Sequence, residues 1–269
     1  MRVRKLRQVL SGIALGIGLA LSVVIAALYL TQRSLIYPAP RHFAAVPAGY
    51  QQITLHTADG LALTAVYSPA RPGRRTVVFF HGNGDSWDGA AAANRLIAAA
   101  GFGVLVAEYR GYGGNPGQPN EAGLYADGQA ALGWLAGQGL AMERIVLVGN
   151  SIGSGAATEL ARTAHPAGLV LISGFTSLPA VVGEQLPWLP VRWLVHDQFD
   201  NQTKIAAVTA PILLLHGTAD TMVGPSHAEA LHAANPSARL VLVPEYGHEL
   251  AYQDVSQRIE LAWLQGLKQ

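Results

Sequence analysis

Six short apolar runs constrain this chain more than any other feature. Residues 77–80, 104–107, 145–148, 169–172, 212–215 and 240–243 are each unbroken in hydrophobic side chains. A strand with one wet face alternates polar and apolar residues, so runs without alternation predict strands buried on both faces of a parallel sheet. Helical patterns over 89–100, 124–138, 154–164, 226–234 and 256–267 separate the runs. Strand and helix in alternation predict an α/β, doubly wound, mostly parallel sheet. Upstream, residues 52–56 and 61–67 alternate with period two around Asp59-Gly60 and predict an antiparallel hairpin. That brings the expected sheet to about eight strands. With 50% of residues hydrophobic and 13% charged, the chain has ample material for such a core.

Open sheets of this kind bind ligands beyond the carboxyl ends of their strands, so the residues after each run matter most. After the third run stands Gly149-Asn150-Ser151-Ile152-Gly153-Ser154-Gly155, which fits two chemistries. As a glycine-rich loop it would cradle a dinucleotide phosphate; as G-x-S-x-G it would present a nucleophilic serine. A dinucleotide fold places its glycine loop after the first strand, with an acid ~20 residues on. Here the loop follows the fifth expected strand, and the only acid from Ser154 to Ile172 is Glu159. The only lysines are Lys5, Lys204 and Lys268, which leaves neither a P-loop nor a Tyr-x-x-x-Lys pair. The nicotinamide reading is set aside on these grounds.

The serine reading asks for more, and the chain supplies it. A strained strand-to-helix turn at Ser151 tolerates only small residues two positions away, and Gly149 and Gly153 stand there. A serine needs a base and the base an orienting carboxylate, in the chain order Ser, Asp, His on successive post-strand loops. The run at 212–215 leads into His216-Gly217-Thr218-Ala219-Asp220, and the run at 240–243 into Pro244-Glu245-Tyr246-Gly247-His248. Asp220 and His248 are therefore expected beside Ser151. The tetrahedral intermediate also needs an oxyanion hole. Its expected donors are the backbone N–H of Ile152 and that of Asn83, in the loop His81-Gly82-Asn83-Gly84-Asp85.

Together with Glu108-Tyr109-Arg110-Gly111-Tyr112-Gly113, these motifs resemble the α/β-hydrolase superfamily over residues 33–269. The likeness is to its small-capped, N-terminally membrane-anchored serine hydrolases, which are similar to serine aminopeptidases and acyl-protein thioesterases. It implies a triad of Ser151, Asp220 and His248 and a hole formed by the amides of Asn83 and Ile152. It implies ester or thioester cleavage through an acyl-enzyme, with no metal or organic cofactor demanded. A peptidase remains open, because the same groups serve amides. So does a catalytically silent, membrane-tethered binding module.

Residues outside that constellation have plainer readings. His81 and His216 are expected to be satisfied by local backbone hydrogen bonds, and His227 and His232, on one helix, to face solvent. Asp197 and Asp200 compete with Asp220 but do not follow a strand directly. Glu245 and Glu249 beside His248 are read as solvated. Arg110 is expected to pin its loop to an acid or to carbonyls. The apolar segment within 176–208 stands where such folds insert a cap, here a short one suited to a lipid-like acyl substrate.

The N-terminus predicts a membrane partner. Residues 9–30 are almost wholly apolar and exceed the ~20 needed to span a bilayer, too long for the apolar part of a cleaved signal. Arg2, Arg4, Lys5 and Arg7 form a basic stretch over 1–8 that keeps this end cytosolic, so the domain at 50–269, after a connector at 31–49, should lie on the outer side. Taking those four from the 18 basic residues leaves 14 against 17 acids. A domain so balanced offers no basic surface for nucleic acid.

Overall fold

The computed structural model describes residues 2–268 and divides into an N-terminal helical unit ending at Tyr37 and a second unit beginning at Pro38. The elements start with α1 (Arg2–Ile36), β1 (Gln51–His56), β2 (Ala62–Ser68) and β3 (Thr76–Phe80). Next come α2 (Trp87–Ala93), α3 (Arg95–Ala99), β4 (Gly103–Val106), α4 (Glu121–Gly137), β5 (Ile145–Asn150) and α5 (Gly153–Ala164). After β6 (Gly168–Ile172) follow three short helices, α6 (Leu178–Gln185), α7 (Val191–Leu194) and α8 (Asn201–Ile205). The chain closes with β7 (Ile212–Gly217), α9 (Ser226–Ala234), β8 (Arg239–Val243) and α10 (Asp254–Gly266).

Residues of β3, β4, β5, β6 and β7 are buried throughout, as unbroken apolar runs require. The run at 240–243 differs. It becomes β8, an edge strand whose Leu240, Val241 and Leu242 are only half-buried. The eight strands lie in the order β1-β2-β4-β3-β5-β6-β7-β8. β1 pairs antiparallel with β2 and β2 with β4; every other neighbour is parallel. Successive connections run from β3 outward to β4 and then back to β5. Loops after β3 and β5 consequently leave in opposite directions at their carboxyl ends, the place where open sheets of this kind bind ligands.

Two departures from the expected boundaries have a local cause. The helix expected over 89–100 breaks at Asn94, whose buried side chain donates Nδ2–H to the Ala90 carbonyl at 2.8 Å. An asparagine amide that takes an i−4 carbonyl competes with the helix ladder. The connector expected at 31–49 begins inside α1, which runs on to Ile36 before Pro38 disfavours helix at Tyr37. Residues 38–49 belong to the second unit: Phe43 stacks on Trp87 at 4.6 Å, and the Trp87 indole N–H donates to Ala44 at 3.1 Å. Within α1, the stretch Arg4–Ile36 contains an 18-residue window with a mean hydropathy of 2.5 and is long and apolar enough to cross a membrane.

Arg110 is absorbed by the fold. Its backbone N–H and Nε donate to Asp127 at 2.9 Å each, and its remaining guanidinium donors reach both oxygens of Asp59 at 2.7 and 3.1 Å. The arginine thereby ties the loop after β4 to α4 and to the β1–β2 hairpin, as a loop-pinning residue should.

Glu260 on α10 is 1% exposed, and its Oε1 has no hydrogen-bond partner among the described residues. Burial pushes its carboxyl up to about 8. The folded state then holds a proton that the unfolded chain has released once pH passes the ordinary carboxyl range. Stability should therefore fall as pH rises from about 4.5 and level off above 8. Glu260→Gln should flatten that slope in urea unfolding series at pH 5, 7 and 9; an unchanged slope would show that Glu260 is not its source.

Candidate active site

The turn between β5 and α5 begins with a steric demand. Ser151 has φ 51°, in the left-handed region that non-glycine residues seldom occupy. A Cβ on Gly149 would lie 2.6 Å from the Gly153 carbonyl, and one on Gly153 would lie 2.1 Å from that of Phe80. Both positions therefore need glycine, and Gly153 lets the start of α5 rest against the end of β3. The Ser151 N–H donates to the Ile172 carbonyl at 2.9 Å, which anchors the strained residue to β6.

From the next edge loops come the partners. The β7 and β8 loops are stitched together by the Thr218 N–H on Val243 at 3.0 Å and the Ala219 N–H on Tyr246 at 2.9 Å. Gly217 permits the contact, since a Cβ there would sit 2.2 Å from the Tyr246 carbonyl. That stitching brings Asp220 and His248 together. The His248 Nδ1–H donates to Asp220 Oδ2 at 2.8 Å, and the Ser151 hydroxyl donates to His248 Nε2 at 2.9 Å. An ionised carboxylate only accepts, so the proton sits on Nδ1 and leaves the Nε2 lone pair for the serine.

Asp220 is held from all sides. Its Oδ1 accepts the amides of Met222 and Val223 at 3.0 and 2.9 Å, and His216 Nε2 stands 3.5 Å from Oδ2. Burial opposes its charge, but the donors at His216, His248 and Val223 outweigh it and keep the carboxyl well below the usual range. His216 also donates to the Val223 carbonyl at 2.8 Å. Asp200, the rival acid, instead caps α8 by accepting the Thr203 N–H at 3.1 Å, and Asp197 lies in the segment leading to α8. Neither supplies the carboxylate at His248 Nδ1.

The loop after β3 closes the other flank. A Cβ on Gly82 would lie 3.7 Å from the Ser151 Cβ and 3.0 Å from Asn150 Nδ2, so this loop runs directly along the serine. Tyr109 donates its hydroxyl to the His81 carbonyl at 2.8 Å, and Tyr112 donates to Asn83 Oδ1 at 3.0 Å. Asn83 sits exposed in this braced loop, while Ile152 is buried immediately ahead of α5. His81 Nδ1 meets the Gly82 carbonyl at 2.9 Å, but its buried Nε2 has no hydrogen-bond partner among the described residues and stands 3.7 Å from Glu108, so local backbone bonds satisfy it only in part.

One histidine reading is overturned. His227 does not face solvent; it is 3% exposed. Its Nδ1 accepts the Thr176 N–H at 3.2 Å and lies 2.8 Å from the Thr176 hydroxyl, with Nε2 3.3 Å from Glu184. His232 on the same helix is half-buried. The missed signal is helical spacing: His227 is four residues before the buried Leu231, on the inward stripe of α9. Sequence reasoning also missed Tyr252, whose hydroxyl donates to Asp85 Oδ2 at 2.6 Å. No motif links these two residues, which lie 167 positions apart.

A strained serine turn with a histidine and an aspartate hydrogen-bonded in line, at the carboxyl edge of a mostly parallel sheet, fits a protein of α/β-hydrolase type. A family model described as alpha/beta hydrolase fold matches residues 75–203, and one described as TAP-like protein matches 181–260. The Mycobacterium tuberculosis protein Rv2307c is 40% identical, over 86% of this chain and 85% of its own length. The alpha/beta hydrolase domain-containing protein WAV2 of Arabidopsis thaliana is 30% identical, over 74% and 72%. Among solved structures, the Pyrococcus furiosus esterase Pf2001 superposes with a TM-score of 0.66 at 19% identity, covering 84% of this chain and 95% of that one. A bacterial membrane phospholipase A superposes with a TM-score of 0.65 at 18% identity, covering 97% and 99%. The chain belongs to the α/β-hydrolase superfamily.

Gly153→Ala tests the steric basis of the site. The added methyl meets backbone carbonyls of Phe80 and His81, which do not swing away as a side chain end does. Urea unfolding should show a loss of about 1–3 kcal/mol or more. Gly133→Ala on α4, where a Cβ meets nothing within 4 Å, should cause no loss.

Proposed function

We propose that this protein is a membrane-anchored serine hydrolase that cleaves carboxylic ester or thioester bonds through an acyl-enzyme intermediate. The observation that carries the reading is the hydrogen-bond line Ser151–His248–Asp220, with links of 2.9 and 2.8 Å. A serine hydroxyl is a weak nucleophile until a neighbouring base takes its proton as it attacks. In this reading Ser151 Oγ bonds to the substrate carbonyl carbon while its proton passes to His248 Nε2. Asp220 fixes the imidazole tautomer and balances the imidazolium that forms. The carbonyl oxygen, now negative, is received by the N–H groups of Ile152 and Asn83, each such donor contributing ~3 kcal/mol to barrier lowering. Collapse expels the alcohol or thiol, which collects the proton from Nε2. Water then repeats the two steps on the acyl-enzyme and releases the acid. None of these steps calls for a metal or organic cofactor.

The esterase and membrane phospholipase A likenesses support carbonyl-ester chemistry of this kind. Between β6 and β7, the short cap helices leave Trp188 54% and Trp193 79% exposed, which supports a lipid-like acyl substrate. The long apolar helix supports an anchor, and Arg2, Arg4, Lys5 and Arg7 ahead of its apolar run at 9–30 support a cytosolic N-terminus with the hydrolase unit on the extracytoplasmic side.

A fluorophosphonate probe should label the wild type and leave Ser151→Ala unlabelled; an unlabelled, folded wild type would instead favour a silent binding module. Asp220→Asn should lower ester turnover by about 10³–10⁴-fold, the cost of an imidazole in the wrong tautomer. Paired assays on a nitrophenyl ester and an aminoacyl anilide should favour the ester, and an acyl series should extend to eight carbons or more. Cleavage of the anilide alone would make the protein a peptidase.

For the anchor, alkaline phosphatase fused to the C-terminus should be active in a bacterial host, since that reporter matures only outside the cytoplasm. An inactive but stable fusion would reverse the orientation.

A further inference from the structure

The base and one proposed oxyanion donor come from strands that are not neighbours. His248 follows β8, Asn83 follows β3, and β5, β6 and β7 lie between them in the sheet. No backbone ladder sets the distance between these two loops. A side-chain bond spans them instead. His248 and Tyr252 occupy the two ends of one 3₁₀ turn, His248–Tyr252, while Asp85 lies two residues after Asn83. The Tyr252 hydroxyl donates to Asp85 Oδ2 at 2.6 Å.

Both ends of that bond are fixed in their own loops. Asp85 Oδ1 accepts the Ser86 N–H at 2.8 Å, and the missing side chain of Gly89 leaves it room, since a Cβ there would lie 2.0 Å away. On the other side, Leu250 and Ala251 are buried in the core, so the turn that carries His248 and Tyr252 moves as a piece. Burial first, and then the charge of Asp85, push the Tyr252 phenol well above its usual range. It therefore stays protonated and able to donate.

We infer that Tyr252 and Asp85 form a latch across the site that sets the spacing between the His248 imidazole and the Asn83 amide, which makes both of them positioning residues for acyl transfer. The inference rests on the serine hydrolase reading above. Its physical ground is that a misplacement of ~1 Å between reacting groups costs on the order of 100-fold in rate. Hydrogen bonds to a charged acceptor are also strong enough to hold such a spacing. Ground-state binding of a short ester does not depend on the spacing; transition-state stabilisation does.

Full-length protein in detergent micelles, assayed on a soluble short-chain nitrophenyl ester, tests the latch. Tyr252→Phe removes one oxygen from a residue that is 38% exposed and should lower the melting temperature by a few degrees only, leaving the protein folded at the assay temperature. It should lower kcat about 10- to 100-fold with KM within about twofold, the pattern of an interaction that matters in the transition state. Asp85→Asn should keep most of the activity, because its amide still accepts from Ser86 and can donate to the phenol oxygen. Asp85→Leu should match Tyr252→Phe, and the double variant should be no slower than the slower single one. Three results would overturn the latch: a wild-type kcat in Tyr252→Phe, independent losses that multiply in the double variant, or a rise in KM alone. The last would make Tyr252 a substrate contact. A wild type that a fluorophosphonate fails to label removes the hydrolase reading and the latch with it. A labelled wild type beside a fully active Tyr252→Phe sinks the latch alone.

Discussion

Everything at the functional edge depends on one crowded turn. Ser151 is held in a left-handed conformation, which for a non-glycine residue costs ~1–3 kcal/mol unless its surroundings enforce it. The enforcement is steric and comes from the neighbouring strand. Carbonyls of Phe80 and His81 press on the bare α-carbon of Gly153, and the register that pairs Phe80 with Gly149 puts them there. A slip of one residue between β3 and β5 would turn every side chain to the other face of the sheet. Close packing on both faces of these strands, and the absence of room for a Cβ at Gly149 and Gly153, forbid that slip. Hydrophobic burial thus fixes the register, register fixes the turn, and the turn aims one hydroxyl.

From that fixed point the remaining groups are assembled by loop-to-loop contacts rather than by secondary structure. β7 and β8 pair along their length, but it is the amides of Thr218 and Ala219, reaching the β8 loop, that bring Asp220 within reach of His248. The glycine at 217 lets the two loops meet. The order of the strands also matters. Because β3 is flanked by β4 on one side and β5 on the other, the loop that carries Asn83 falls beside Ser151 although 68 positions of chain separate them.

Buried charge is handled in two contrasting ways. Asp220 lies in the interior with its oxygens engaged by backbone amides and imidazoles, so it remains ionised beside His248. Glu260 has no such partner for its Oε1 among the described residues and is pushed toward its neutral form. Asp127 lies between these cases: Arg110, the clasp of the loop after β4, donates to both its oxygens, yet burial still pushes its carboxyl up. The difference is the supply of donors: loops at a strand end expose free amides, whereas the middle of a helix such as α10 has spent its own on the ladder.

Much of this was legible along the chain. Unbroken apolar runs point to buried parallel strands because an unpartnered polar side chain is costly between two covered faces, and the glycines around Ser151 identify the turn because nothing larger fits. The order of serine, aspartate and histidine after successive strands is written in the same linear pattern, and Ser151, His248 and Asp220 do meet. Edge and interior strands were not distinguishable, since the half-buried run of β8 reads like the others; its place depends on which neighbour it lacks. The inward face of His227 was overlooked because a polar residue is buried only when a partner awaits it, and Thr176 and Glu184 come from a different segment. The bond between Tyr252 and Asp85 belongs wholly to the tertiary structure. Local patterns record what each residue needs from water and from its own backbone; which distant side chain meets it is decided only when the sheet has been wound and its loops brought to one edge.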